Sequence, residues 1–335
     1  MEFKRCSGIL MPISSLPGGY GIGSMGKPAH DFVDFLAKAG QTIWQILPVG
    51  PTGYADSPYQ SCSAFAGNPY FIDLDLLAAD DLLTKKDYAA INWGGDATHV
   101  DYGTLYEKRF AVLRKAYANF LKKRPVPGYE TPYPDDWYRF QFLSSDWLPD
   151  YCLYMAIKEA NGMVDWQQWP RALRVREPEA LAEFKAEHAG EIEFWAFLQY
   201  EFDRQWRALH AYAKEKGVAI MGDIPIYVAA ASADAASSAA REATASAAAR
   251  AIGTRSQLTD ALVIHIVKRI ERRIDAVMMV VPPVAGVIVV ETVGLAHLGR
   301  HRLGKLTQDF LRNAQRHTHH QQLVPQHQIA RDGFL

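Results

Sequence analysis

The stretch ILPVGPTGYADSPYQSCSAFAGNPYFI, residues 46–72, decides how the chain is read. It starts inside an apolar run, TIWQILP (42–48), that has the composition of a buried strand, and it runs on into a loop dense in Gly, Pro, Ser, Asn and Tyr. Nothing in the loop recurs with a period of 2 or 3.6 residues, so it is not a core strand or helix. Loops this long in a compact domain are functional or disordered. Tyr54, Tyr59, Phe65, Tyr70 and Phe71 are too many rings for a disordered linker. Polar side chains beside flat rings, at the end of a buried strand, make a surface suited to stacking and hydrogen-bonding a hydroxyl-rich ligand such as a sugar. The alternative is an ordered structural loop whose rings pack beneath it. Composition alone favours that alternative, because aromatic side chains supply much of any packed surface.

Upstream, SGILMPIS (7–14) reads as a short buried strand leading into SLPGGYGIG (15–23). That glycine-rich loop has neither the Lys-Ser/Thr of a phosphate loop nor dinucleotide-site spacing, and is read as a structural turn. A helix follows from about Pro28 to Lys38, with Phe32, Val33, Phe35 and Leu36 on one apolar face and Gly40 as its stop. Strand, helix, strand with short joins predicts a parallel βαβ unit.

Downstream, from about 74 to 216, the pattern is helical and rich in charge, interrupted by the proline-rich VPGYETPYP (126–134). Ser145 is a candidate cap for a helix holding Trp147, Leu148, Tyr151, Leu153 and Met155. One long helix, or two, spans about 178–216, with Trp195, Leu198, Phe202, Trp206, Leu209 and Tyr212 as a core stripe. Trp166 and Trp169 lie in a turn-like stretch and are either structural or ligand-facing. Strand character returns in VAIMGDIPIYV (218–228), which cannot continue past Pro225 inside a sheet. Asp223 therefore sits at the C-terminal end of a buried parallel strand, where a barrel of alternating strands and helices carries its active site. An Asp capping the next turn is the other reading.

Composition breaks near Ala235. All 8 Trp and all 16 Tyr lie at or before Tyr227, whereas 7 of the 11 His follow residue 260. Residues 235–335 hold 13 Lys and Arg against 7 Asp and Glu, a net of +6, so that the first 234 carry −7 of the total −1. That total favours neither a nucleic-acid nor a membrane-surface partner for the whole chain. The three cysteines, Cys6, Cys62 and Cys152, make no metal or redox motif and fit a reducing, cytoplasmic setting; the amino-terminal apolar run is broken by Pro12 and makes a poor signal peptide.

The stretches SGILMPISSLPGGYGIGSMG (7–26), WQILPVGPTGYADSPYQSCSAFAGNPYFIDL (44–74), VDYGTLY (100–106) and GDIPIYVA (222–229) resemble, in one register, the amino-terminal half of the 4-alpha-glucanotransferase (amylomaltase) family. The resemblance covers residues 1–234. It implies an α/β fold, a (β/α)8 barrel of which this part supplies about the first three strands, with a helical insertion at about 75–216. It also implies transfer of a 1,4-alpha-glucan segment to a 4-hydroxyl of glucose or another glucan with retention, and no metal or organic cofactor. By the same resemblance Tyr59 matches the Tyr that stacks on the glucose ring beside the cleaved bond, and Asp223 the Asp that hydrogen-bonds that ring. Tyr54 matches an aromatic at an additional glucan contact, and Ser57 shares its loop.

Retaining transfer needs two carboxyl groups roughly 5 Å apart. The family carries them in RIDHFRG-like and AEDLG-like strand ends beyond GDIPIYVA, with a further Asp in a THD-like one. Here ASADAA (231–236) replaces the family's DSAD-V-W pattern and no catalytic residue is identified. Arg273, Ile274 and Asp275, and likewise Glu291, are chance likenesses lacking the right followers. In 235–253, 10 of 19 residues are Ala; AVMMVVPPVAGVIVV (276–290) is too short for a membrane span of about 20 residues; HTHH (317–320) lacks partners for a zinc site. The expectation is a tail of other origin, arising from a reading-frame change near residue 235. For the chain itself three outcomes stay open: a glucanotransferase, an inactive glucan-binding remnant, or an unstable product.

Overall fold

In the computed structural model the described residues are 6–53, 56–94, 98–123, 136–223, 225 and 229–239. They all belong to one of two units, Glu2–Arg255. Tyr54, the proline-rich stretch 126–134 and the expectations for the tail beyond 239 lie outside them.

Three short strands, β1 (Gly8–Leu10), β2 (Ile43–Gln45) and β3 (Ala219–Met221), form a parallel sheet in the order β1-β2-β3. The register sets Ile9 beside Trp44 and Trp44 beside Ile220. Trp44 is fully buried at the middle of the sheet, and its indole N–H donates to the Met11 carbonyl at 2.8 Å, so its one polar atom is satisfied where water cannot reach. The first strand is shorter than SGILMPIS predicts, because Pro12 ends pairing and Ile13–Ser15 turns as a 3-10 helix. Gly8 is required here: a Cβ on it would lie 2.5 Å from the Ile43 carbonyl oxygen.

Helix α1 (Lys27–Lys38) joins β1 to β2, as the βαβ pattern predicts. Its buried face is Ala29, Val33 and Leu36, with Phe32 edge-on to Trp44 at 5.1 Å. Phe35, expected on that face, is 55% exposed: it stands one residue from Leu36, about 100° around the helix.

Between β2 and β3 the described residues hold the loop and seven α-helices: α2 (Leu74–Ala79), α3 (Tyr102–Lys123), α4 (Asp136–Leu143), α5 (Leu148–Ala160), α6 (Arg171–Arg174), α7 (Pro178–Glu187) and α8 (Ala189–Glu215). The predicted 178–216 segment is thus two helices, parted at His188. Ser145 does not cap α5; the helix starts beyond Trp147 with Pro149 in its first turn, where a missing N–H costs nothing. Helix α8 is the axle of the unit. Phe194, Trp195, Phe197, Leu198, Phe202 and Leu209 are buried along it, and it packs on α1, α3, α4, α5, α7 and β3. In a folded protein most of a helix's stability comes from packing its apolar face, and the buried stripe of this 27-residue helix supplies it. Among the described residues no helix is long and apolar enough to cross a membrane.

Candidate functional site

The carboxyl end of β2 opens into the 46–72 loop, which the insertion grips from below. Gln199, buried on α8, accepts from the Gly67 N–H at 2.7 Å and donates to the Gly67 carbonyl at 3.0 Å. Gln205, buried on the same helix, makes the same pair of bonds with the backbone of Asp73, at 2.7 and 3.2 Å. Arg109, fully buried on α3, donates to the carbonyls of Tyr20 (3.0 Å) and Ile72 (2.6 Å). Burial draws its guanidinium down to about 10, although Asp73 opposes that shift. The Asp73 carboxylate accepts from Ser24 Oγ at 2.6 Å and caps α2 through the amides of Asp75 and Leu76. Apart from the Ser24 bond, which joins two side chains, each of these satisfies a backbone group, and a buried one left orphaned costs about 1–3 kcal/mol.

This grip sorts the aromatic residues. Phe65, Tyr70 and Phe71 are buried; Tyr70 packs against Tyr102 and Phe110, each at 6.0 Å between ring centroids. For these rings the structural alternative holds. Tyr59 is different: it is 46% exposed, and its hydroxyl donates to Asp223 Oδ2 at 2.8 Å across 164 residues of sequence. That hydrogen bond to a carboxylate, aided by a little burial and by the nearby charge, raises the Tyr59 phenol above its ordinary value. Ser57 Oγ accepts from the Tyr59 N–H at 3.3 Å, and the Gln60 N–H returns to the Ser57 carbonyl, so Ser57 shapes the turn that presents the ring. Asp56, in the left-handed region at φ 54°, starts that turn.

Asp223 is half-buried two residues beyond the last paired residue of β3. The sheet therefore brings Tyr59 and Asp223, each picked out from its own motif, to the same strand ends. The result is an exposed phenol ring beside a carboxylate: a flat apolar face next to a strong acceptor, which is the chemistry that a sugar ring with its hydroxyl groups engages.

Trp166 and Trp169 are both structural. The Trp166 indole donates to the Ala230 carbonyl at 2.8 Å, and Trp169 is buried against Tyr154. Asp234, which sequence reading passed over, accepts from the Ala64 N–H at 2.7 Å. Among the described residues no group of three or more His, Cys, Asp or Glu is arranged to hold a metal ion.

The family model for 4-alpha-glucanotransferases (glycoside hydrolase 77) matches residues 11–246. The chain belongs to the 4-alpha-glucanotransferase family. It is similar to the 4-alpha-glucanotransferases of Clostridium butyricum, 47% identical over 226 residues, and Thermus thermophilus, 46% identical over 234. Those matches take in 67% and 70% of this chain but 44% and 45% of the relatives. Among solved structures it resembles the amylomaltase of Streptococcus agalactiae in complex with acarbose, with a TM-score of 0.65 and 45% identity over 69% of this chain and 45% of that one. The chain thus matches less than half the length of each. The family match runs past residue 234 and takes in the helical segment 233–239, whose Ala233 and Ala236 are buried.

Proposed function

We propose that the described unit is the glucan-holding part of a 4-alpha-glucanotransferase, which moves a 1,4-alpha-glucan segment onto a 4-hydroxyl of glucose or another glucan with retention. The observation that carries this reading is the 2.8 Å bond between Tyr59 and Asp223 at the ends of adjacent parallel strands. Tyr59 stacks on one sugar ring and Asp223 accepts from its hydroxyl groups. Tyr54 serves a further glucan contact and Ser57 supports the loop. The acarbose held by the Streptococcus agalactiae neighbour fits the same chemistry. The three strands are read as the opening of a (β/α)8 barrel, working in the cytoplasm on maltodextrin and glucose without nucleic acid, membrane or cofactor.

A second reading, that this chain binds glucan without transferring it, is favoured by a specific observation. A retaining reaction needs a nucleophile and an acid/base about 5 Å apart; the chain matches less than half the length of its relatives, and the family resemblance puts the strand ends that would carry those groups beyond the match. The tail is then the product of a frame change near residue 235. If neither other frame of the gene encodes RIDHFRG- and AEDLG-like stretches beyond that point, the frame change is rejected.

One experiment separates the readings: incubate the purified chain with maltotriose and analyse the products, with acarbose binding followed by calorimetry. Glucose plus longer maltodextrins supports transfer. Binding without products supports the holding role alone. Neither binding nor products, from a chain with a cooperative melt, refutes the site.

A further inference from the structure

We propose that Asp234 is a positioning residue for Tyr59: its carboxylate ties the loop that carries Tyr59 to the segment that follows Asp223, and so sets the two sugar-facing groups against each other. This rests on the reading of Tyr59 and Asp223 as the glucan site, and extends it to a residue outside that pair.

The argument starts with where Asp234 stands. Ser232 is fully buried and its hydroxyl accepts from the Ala235 N–H at 3.1 Å, an N-cap bond that starts the helical segment 233–239. Asp234 falls in the first turn, where the helix dipole favours a negative charge. The ground on the amino-terminal side is equally fixed. The Ala230 carbonyl accepts from Trp166 Nε1 at 2.8 Å and from Gln167 Nε2 at 3.2 Å. The Ala231 carbonyl accepts from Tyr154 Oη at 2.6 Å. Three side chains of the helical insertion thus hold two successive peptides just ahead of Asp234.

From this ground two bonds reach the aromatic loop. The Ala233 N–H donates to the Cys62 carbonyl at 2.8 Å, and Asp234 Oδ2 accepts from the Ala64 N–H at 2.7 Å. The second is charge-assisted, and such bonds are about twice as strong as neutral ones. Between Ala64 and Tyr59 the loop is stiffened by its own serines. Ser61 Oγ donates to the Ser63 carbonyl at 2.7 Å, and Ser63 Oγ accepts from the amides of Phe65 and Ala66. Displacement at Ala64 therefore passes to the turn that presents Tyr59. Asp223 sits seven residues before Ala230 in the sequence. The Asp234 carboxylate, beside the Ala233 amide, joins the chain that follows Asp223 to the loop that carries Tyr59.

The test uses the full-length chain and its Asp234→Ala and Asp234→Asn variants. The Tyr59 phenol is titrated by carbon-13 NMR of labelled tyrosine, with Tyr59→Phe providing the assignment, below each variant's melting midpoint. In the unsubstituted chain Tyr59 ionises above about 10, the ordinary tyrosine value. We expect Asp234→Ala to move it back toward that value, with Asp234→Asn, which keeps a neutral acceptor, in between. Acarbose binding should weaken about tenfold in Asp234→Ala, and far less when Tyr59 is already Ala, because residues acting through one another are not additive. An unmoved Tyr59 titration in a folded Asp234→Ala chain overturns the proposal; if that variant does not fold, an unmoved titration in Asp234→Asn does so. Failure of the unsubstituted chain to bind acarbose sinks the glucan site while leaving the titration to judge Asp234.

Discussion

The two halves of the 46–72 loop have much the same composition and opposite fates. Residues 63–73 are pinned from α3 and α8 by Arg109, Gln199 and Gln205, and their rings are buried. Among the described residues, 56–60 are held by short-range turns around Ser57 and by the Tyr59 contact to Asp223, and their ring faces outward. A Tyr in one half is core and in the other is exposed beside a carboxylate. What separates them is not residue type but whether a buried amide lies underneath to satisfy the backbone. The insertion thus serves the site by making half of the loop rigid, so that the other half projects from a fixed base.

Removing a pin should break the comparison most severely. Gln199→Leu keeps the volume but strands the Gly67 N–H and carbonyl in an apolar setting. We expect a loss of about 2–6 kcal/mol, from two buried groups at about 1–3 kcal/mol each, measured by urea unfolding. A loss under about 0.5 kcal/mol would mean that water reaches Gly67 and the pin is dispensable. Next in size is Gly67→Ala. Its Cβ would lie 2.1 Å from the Phe202 ring, so the loop must lift off α8 or the ring must move. Overpacking of this kind costs about 1–3 kcal/mol. Phe202→Leu should recover part of it in the double variant, and an absence of recovery would place the strain elsewhere.

These pins have no local signature in the sequence. The parallel βαβ unit was legible because strand composition, helical period and Gly40 agree locally. The core stripe on α8 was legible for the same reason, with Trp195, Leu198, Phe202 and Leu209 all buried. Tyr59 and Asp223 were reached through family motifs, and only the sheet shows that they meet. Gln199 and Gln205 look, in sequence, like ordinary polar positions of an amphipathic helix. Their burial depends on a loop 132 residues away lying across them, and no local period reports that. Asp234 was invisible for a related reason: its partner is a backbone N–H, which has no signature of its own. The fates of Phe65, Tyr70 and Tyr59 could not be separated by composition, since all three suit either role.

On the exposed half the comparison is sharpened rather than broken. Tyr59→Ala should leave stability within about 0.5 kcal/mol, as expected of a surface position, while acarbose affinity falls about tenfold or more. The size follows from losing a stacked ring, worth about 0.5–1.5 kcal/mol beyond the area that it buries. Calorimetry and urea unfolding on one sample give both numbers. A large stability loss with unchanged affinity would make Tyr59 a core residue like Tyr70, and the two halves of the loop would no longer differ.

The smallest expected effect is a pH dependence that belongs to Tyr59 alone. Its phenol is raised, first by the hydrogen bond to Asp223. A raised acid holds its proton more tightly in the folded chain than in the unfolded one, so the folded state binds more protons between the two pKa values. The stabilisation is therefore complete below the unfolded value of about 10 and is lost as pH rises through the folded value. Burial raises the phenols of Tyr70 and Tyr154 as well, and these pull stability down over the alkaline range in any variant. Tyr59→Phe removes one contributor and leaves those in place. The stability difference between the unsubstituted chain and Tyr59→Phe should be flat from neutral pH to about 10 and then close as the phenol ionises beside the carboxylate. A difference that stays flat through the alkaline range would mean that the Tyr59 hydroxyl does not lean on Asp223 in solution, and that the exposed half of the loop is not held in the geometry described.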